Sequence, residues 1–258
     1  GLAMVPPEKR NPWTTSTLGT GQMISAAANV GVDGVLLGVG GSATNDLGLG
    51  ALAALGYEFR NSGGKIVHPP VPEIWSKITY ITGQLNPSTP PIWIACDVDN
   101  PLLGESGAAA VFGPQKGLKI SDWDRLEAES SRLADLLCQR LGCDPTVKGT
   151  PGVGAAGGIS FGLLAAAQAR LVSGSELMTA WMRLNERIDE ADLVITGEGR
   201  FDRSSLSGKG PGELVVRLRI AWGDFEFTDR EQRAEHGGRG RSGSAPGLGR
   251  VLIAGLFL

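Results

Sequence analysis

The chain is punctuated by short apolar runs that stop abruptly on Gly or Asp. Residues 35–39 close on Gly40-Gly41, residues 92–96 on Asp97, and residues 193–196 on Gly197-Glu198-Gly199. Apolar runs of this length bounded by turn residues predict buried strands. Helical patterns lie between them. Leu126, Leu133, Leu137 and Leu141 keep a helical spacing until Gly142 interrupts it. Ser121, with Asp124 three residues later, predicts a capping box at the start of that helix. Residues 51–55 and 163–169 are rich in Ala and Leu and predict two further helices. Strands alternating with helices predict an α/β layered fold, with a parallel or mixed sheet and flanking helices.

Composition narrows the function classes. A length of 258 residues suffices for one large domain or two modest ones. The 39 glycines follow no G-X-Y period, which excludes collagen and points to many tight strand-to-helix turns. No apolar stretch reaches the roughly 18 residues of a membrane span. A net charge of −3 gives no electrostatic reason to invoke nucleic acid or an anionic membrane as partner. Cys96, Cys138 and Cys143 form no C-x-x-C pair, and His68 and His236 lie far from them. That argues against a zinc site and a disulfide framework and fits a reducing cytoplasm. The first 30 residues lack the layout of a secretion signal. The chain starts on Gly1, and we expect it to be a fragment of a longer protein.

The balance of charge changes near the carboxyl end. Through Val216 the chain holds 17 Lys+Arg against 22 Asp+Glu, and no Lys follows Lys209. Residues 237–249 (GGRGRSGSAPGLG) have the composition of a disordered segment, with an RNA-binding Arg-Gly run as the alternative. We therefore divide the chain into residues 1–216 and a tail, 217–258, expected to be disordered or read out of frame.

Three constellations could carry chemistry. The first is GVGGSATND, residues 38–46. A strand entering a Gly-rich turn and then a helix aims backbone N–H groups at an anion. Ser42 and Thr44 could add hydroxyl donors there, while Asn45 and Asp46 could hold a substrate hydroxyl or a metal. Residues 38–43 also fit a loose G-x-G-x-x-A dinucleotide fingerprint, with Glu58 near the position of a ribose ligand. The bland reading is a glycine turn with a Ser or Thr helix cap. The second constellation is ACDVDNP, residues 95–101, where Asp97 and Asp99 follow a buried strand at the sheet edge used by α/β ligands. Paired carboxylates suit Mg²⁺ or a general base, and an Asp-Asn-Pro turn is the alternative. Cys96 reads as a small buried hydrophobe. The third is TGEGRFD, residues 196–202, followed by GKG at 208–210. Acids for a metal beside bases for phosphate oxygens suit phosphoryl transfer, against a solvated loop with incidental ion pairs. Residues 112–116 (FGPQK), through Lys116, and 154–158 (GAAGG) are lesser anion cradles. No G-x-x-x-x-G-K-[ST] or protein-kinase element occurs.

These strings, in this order, together with VPPEKRNP at 5–12, ACDVDNPLLG at 95–104, GAAAVFGPQKG at 107–117 and GKGP at 208–211, resemble bacterial-type glycerate kinases over about residues 1–216. The resemblance implies transfer of the γ-phosphoryl of ATP, with Mg²⁺, to a hydroxyl of D-glycerate, 2-phosphoglycerate being the favoured product. It implies two α/β domains, one inserted in the other, with the active site in the cleft between them and the matched region mostly the inserted domain. Carried over, the first loop would bring Gly40, Gly41, Ser42, Thr44, Asn45 and Asp46 to the cleft. The second would bring Asp97, Asp99 and Asn100, and the third Gly197, Glu198, Arg200, Asp202 and Lys209. We expect Asp97 to act as base, Glu198 or Asp202 to hold Mg²⁺, and Lys209 or Lys116 to neutralise charge. The family's amino-terminal acidic Gly-rich motif has no counterpart here, and the tail does not match, so the chain is expected to be an incomplete kinase, with the activity of the piece itself left open. The competing readings are a nicotinamide-dependent oxidoreductase and a non-catalytic module that binds glycerate or nucleotide.

Overall fold

A computed structural model describes residues 1–197, 214, 217–218, 226–229 and 250–254. It comprises two compact units, Gly1–Val172 and Ser173–Leu258.

In the first unit, helix α1 (Leu18–Asn29) precedes strand β1 (Val35–Gly38), and helix α2 (Leu49–Ala54) leads to strand β2 (Tyr57–Arg60). Strands β3 (Tyr80–Gly83) and β4 (Ile92–Ala95) follow, then helices α3 (Ala108–Phe112), α4 (Trp123–Leu141) and α5 (Ala155–Ala167), and strand β5 (Arg170–Val172). The runs predicted at 35–39 and 92–96 are neighbours in one parallel sheet of order β1-β4-β5, with Leu37 opposite Ile94 and Ile94 opposite Leu171. Ile92 and Ile94 point into the core, whereas Leu36 and Trp93, on the other face, stay partly open to solvent.

A separate antiparallel pair, β2-β3, puts Phe59 opposite Ile81, both buried. Helix α4 packs across it with the stripe Leu126, Ser130, Leu133, Ala134 and Leu137, the spacing of one helical face. Two arginines of α4 fasten the contact. Arg132 donates to the carbonyls of Trp75 and Ile78, and Arg140 to those of Ile81 and Gly83. As expected, α4 ends where Gly142 takes a left-handed conformation. The capping box does not form. A 3-10 turn at Ile120–Asp122 delays the helix to Trp123, and Asp122 occupies the N-cap without a side-chain bond.

The second unit contains helices α6 (Gly174–Trp181) and α7 (Leu184–Asp189) and strands β6 (Leu193–Gly197), β7 (Glu226–Asp229) and β8 (Arg250–Ala254). The strands run parallel in the order β6-β8-β7. Ile188 and Leu218 form a small core with Leu184, Val194 and Leu214. Ser173 caps α6 by accepting from the Glu176 amide at 3.2 Å, a start signal that the apolar periodicity did not reveal. The tail contributes β7 and β8, and residues 237–249 lie outside the described residues. Among the described residues, no helix is long and apolar enough to cross a membrane.

Candidate functional site

The glycine loop leaves β1 at the edge of the parallel sheet and does not enter a helix at once. Ten residues separate Gly38 from α2, and the amino end of α2 is already occupied by the chain's own carboxylate. Asp46 is wholly buried. It accepts from the Gly48 and Gly50 amides at 3.2 and 3.3 Å and from the amide and hydroxyl of Thr17 at 2.7 and 2.8 Å. The Thr17 hydroxyl in turn accepts from the Ala51 amide. Asp46 therefore binds the start of α1 to the start of α2, and none of its oxygens is directed to a ligand. Burial pushes its carboxyl above the usual carboxylate range, opposed by the bonds from Thr17, Gly48 and Gly50. Asn45 is also buried, and its Oδ1 has no partner. The sequence placed both side chains at the ligand because a polar residue beside a glycine turn usually faces outward. Here Gly157 closes over the Thr44–Asn45 backbone.

That closure depends on an unusual backbone. Residues 156–158, at the head of α5, have φ of 54°, 72° and 87°, three left-handed residues in succession. A Cβ on Gly157 would lie 2.1 Å from the Thr44 carbonyl oxygen, so only glycine allows the two loops to meet. Leu47 donates its amide to the Gly157 carbonyl, and the Thr44 hydroxyl to the Ala156 carbonyl at 3.5 Å.

Two clefts flank the loop. One, of about 260 Å³, is lined by Gly40, Gly41 and Ser42, by Ala95 to Val98, by Phe112, Gln115 and Lys116, and by Ala155 and Ala156. The other, of about 320 Å³, runs along Gly38 to Thr44 on one side and Ser16, Thr17, Gly19 and Thr20 of the α1 start on the other. The sequence reading missed those α1 residues. Their signal was the run Thr14-Thr15-Ser16-Thr17, a helix-start composition that also presents several hydroxyls.

Lys116 is the most unusual group in the first cleft. Its side chain is 1% exposed, and its ammonium donates to the Thr44 carbonyl at 2.7 Å. Burial lowers its pKa to about 8, and the nearby Asp46 charge opposes that fall. Asp97 stands on the exposed rim of the same cleft. Asp99 is not among the residues that line it. Asn100 braces the wall instead. Its amide nitrogen donates to Ser106 at 2.8 Å, and its carbonyl accepts from Gly154. The Cys96 thiol donates to the Val98 carbonyl and is pushed up chiefly by burial, but the residue is only partly buried and lines the cleft, unlike the buried hydrophobe the sequence suggested. Gly197 ends β6 in the second unit, while Glu198, Arg200, Asp202 and Lys209 lie outside the described residues. Among the described residues, no group of three His, Cys, Asp or Glu side chains could hold a metal.

The dinucleotide reading loses its acidic residue. Glu58 belongs to the antiparallel β2-β3 pair rather than to a strand beside β1, and it is ion-paired with Arg60 at 2.6 Å. It also accepts from the Thr82 hydroxyl.

Comparison with known proteins gives a consistent picture. A profile of the glycerate kinase family matches residues 1–221. A glycerate kinase of Haemophilus influenzae is 42% identical over 213 residues, 82% of this chain and 56% of that protein. A glycerate 2-kinase of Escherichia coli K12 is 40% identical over 82% of this chain and 55% of its own length. A crystal structure from Salmonella typhimurium LT2, provisionally assigned as glycerate kinase 2, superposes with a TM-score of 0.75 at 36% identity. The match covers 98% of this chain and 64% of that one. The chain spans about half the length of the curated relatives it matches.

Proposed function

The chain belongs to the glycerate kinase family, and from that membership we propose that its first unit supplies part of the site for ATP-dependent phosphorylation of D-glycerate. The product is 2-phosphoglycerate by preference, and the setting is the cytoplasm. One observation carries this reading: a carboxylate, Asp97, and a buried ammonium, Lys116, share a small cleft with the backbone of Gly40 to Ser42. A hydroxy acid needs a cation for its carboxylate and a base for its hydroxyl. Lys116 fills the first role and Asp97 the second. The adjoining cleft offers hydroxyls and backbone amides without a carboxylate. That chemistry suits the phosphates of the nucleotide, and the two clefts share Gly40, Gly41 and Ser42 as a common wall. Mg²⁺ on the nucleotide would neutralise charge on the transferring group. Glu198 and Asp202 are the side chains we assign to it.

Phosphorus NMR of the chain with ATP, Mg²⁺ and D-glycerate tests the proposal. A phosphoglycerate resonance is the expected result. A silent spectrum, in a sample where proton NMR shows both ligands bound, would favour a module that binds without catalysis.

The position of Lys116 also predicts a pH dependence. The ammonium holds its proton below about 8, so D-glycerate affinity measured by titration calorimetry should fall as pH climbs past that value. A profile flat to pH 10 would remove Lys116 from the carboxylate site. The sign for folding is opposite. An unfolded lysine keeps its proton to its ordinary 10.5, so between about 8 and 10.5 the unfolded chain binds more protons, and this group makes stability rise with pH.

A further inference from the structure

The carboxyl end of α4 brings two thiols together. The Cys138 carbonyl accepts from both the Gly142 and the Cys143 amides, the latter at 3.2 Å, while Gly142 turns left-handed between them. This closure sets the side chains of the two flanking residues against one another. A residue pair joined by a direct backbone bond falls roughly within the 4.4–6.8 Å Cα separation that a disulfide spans. Both thiols are free, Cys138 buried and Cys143 partly open, and both pack against the same core. Cys96, the third thiol, hydrogen-bonds elsewhere in the unit.

We propose that Cys138 and Cys143 form a reversible dithiol–disulfide site whose oxidant is a small peroxide. Cys143, the accessible partner, attacks one peroxide oxygen as its thiolate. An S–O bond forms, the O–O bond breaks, and the leaving hydroxide takes a proton from solvent. The Cys138 sulfur then attacks the Cys143 sulfenic acid. The S–S bond forms, the S–O bond breaks, and the Cys138 proton departs with the hydroxide as water. Two thiols lose two electrons and two protons in all, and hydrogen peroxide becomes two waters. Burial first, and then its interaction with Cys143, push the Cys138 thiol up to about 12, so its proton must leave as the S–S bond forms and the second step is the slower one. Lys148, which faces it and acts in the opposite direction, is ion-paired with Asp135 of α4.

The segment after Cys143 leads to the site. The Lys148 carbonyl accepts from Leu102, the Gly154 amide donates to Asn100, and Ala155 and Ala156 line the first cleft. A cross-link at Cys138–Cys143 fixes the start of that segment.

The test treats the folded chain with a small excess of hydrogen peroxide, unfolds it in alkylating reagent and weighs it. We expect a loss of two hydrogens per chain and a fall in alkylated cysteines from three to one, Cys96, with dithiothreitol restoring all three. Oxidation in urea should be slower and should scramble onto Cys96. Cys143→Ser should abolish the intramolecular loss of mass. Three outcomes overturn the proposal: oxygen added to Cys143 while Cys138 still alkylates, cross-linked dimers in place of an internal bond, or no native acceleration over urea.

Discussion

Asp46→Ala is expected to destabilise the first unit by about 4 kcal/mol or more, with urea denaturation as the measurement. Four donors lose their acceptor at once: the amide and hydroxyl of Thr17 and the amides of Gly48 and Gly50. A hydrogen bond to a charged group contributes about 1.5–3 kcal/mol net, and a buried donor left without a partner costs about 1–3 kcal/mol. Partial relaxation keeps the sum below the simple total of four such terms. Lys116 loses its neighbouring negative charge as well. Against a total stability of roughly 5–15 kcal/mol, the variant should populate the unfolded state heavily. Asp46→Asn retains the volume but turns an NH₂ group towards backbone donors, so an intermediate loss is expected. An unchanged denaturation midpoint in the alanine variant would mean that α1 and α2 are held together by packing alone.

How far the sequence announced this architecture depended on the kind of signal. Strands β1, β4 and β6 were legible because each is a short apolar run that stops on Gly or Asp, even though one face of β1 and β4 stays partly open to solvent. Helix α4 was legible because its stripe and Gly142 agree. The capping box failed because a 3-10 turn occupies the residues that would have formed it. Strand β5 was hidden: three residues long and opening on Arg170, it follows an Ala-rich helix that ends only when Gln168 turns left-handed. Helix α1, built of Gly, Ser, Ala and Thr around a single buried Ile24, carries almost no apolar stripe.

The site divides along the same line. Gly40, Gly41, Ser42, Asp97 and Lys116, which line the first cleft, could be singled out because a glycine turn and a charged residue beside a turn are local features. The role of Asp46 was not local. Its partner Thr17 lies 29 residues earlier, and the glycine that packs on the neighbouring Thr44–Asn45 backbone lies more than a hundred residues later. No spacing rule connects those positions. A carboxylate beside a glycine loop therefore reads as a ligand until the fold shows its lone pairs already taken.

Asp97→Asn separates chemistry from architecture and has the largest effect expected on activity. Asp97 is exposed, at the end of β4 and on the rim of the first cleft. The amide has nearly the same volume, so the unfolding free energy should stay within about 0.5 kcal/mol of the parent. Asparagine cannot take the proton of the glycerate hydroxyl, and loss of a general base lowers turnover on the order of 10²–10⁴. The Michaelis constant for D-glycerate should change little, because Lys116, not Asp97, is assigned the carboxylate. The measurement is steady-state phosphoglycerate formation by this chain, or by a full-length relative carrying the equivalent substitution. A variant that kept most of its turnover would remove Asp97 from the proton-transfer role. A variant that kept turnover but bound D-glycerate weakly would instead move Asp97 to substrate positioning. These two failures differ in their kinetics, so a single titration of rate against D-glycerate concentration decides between them.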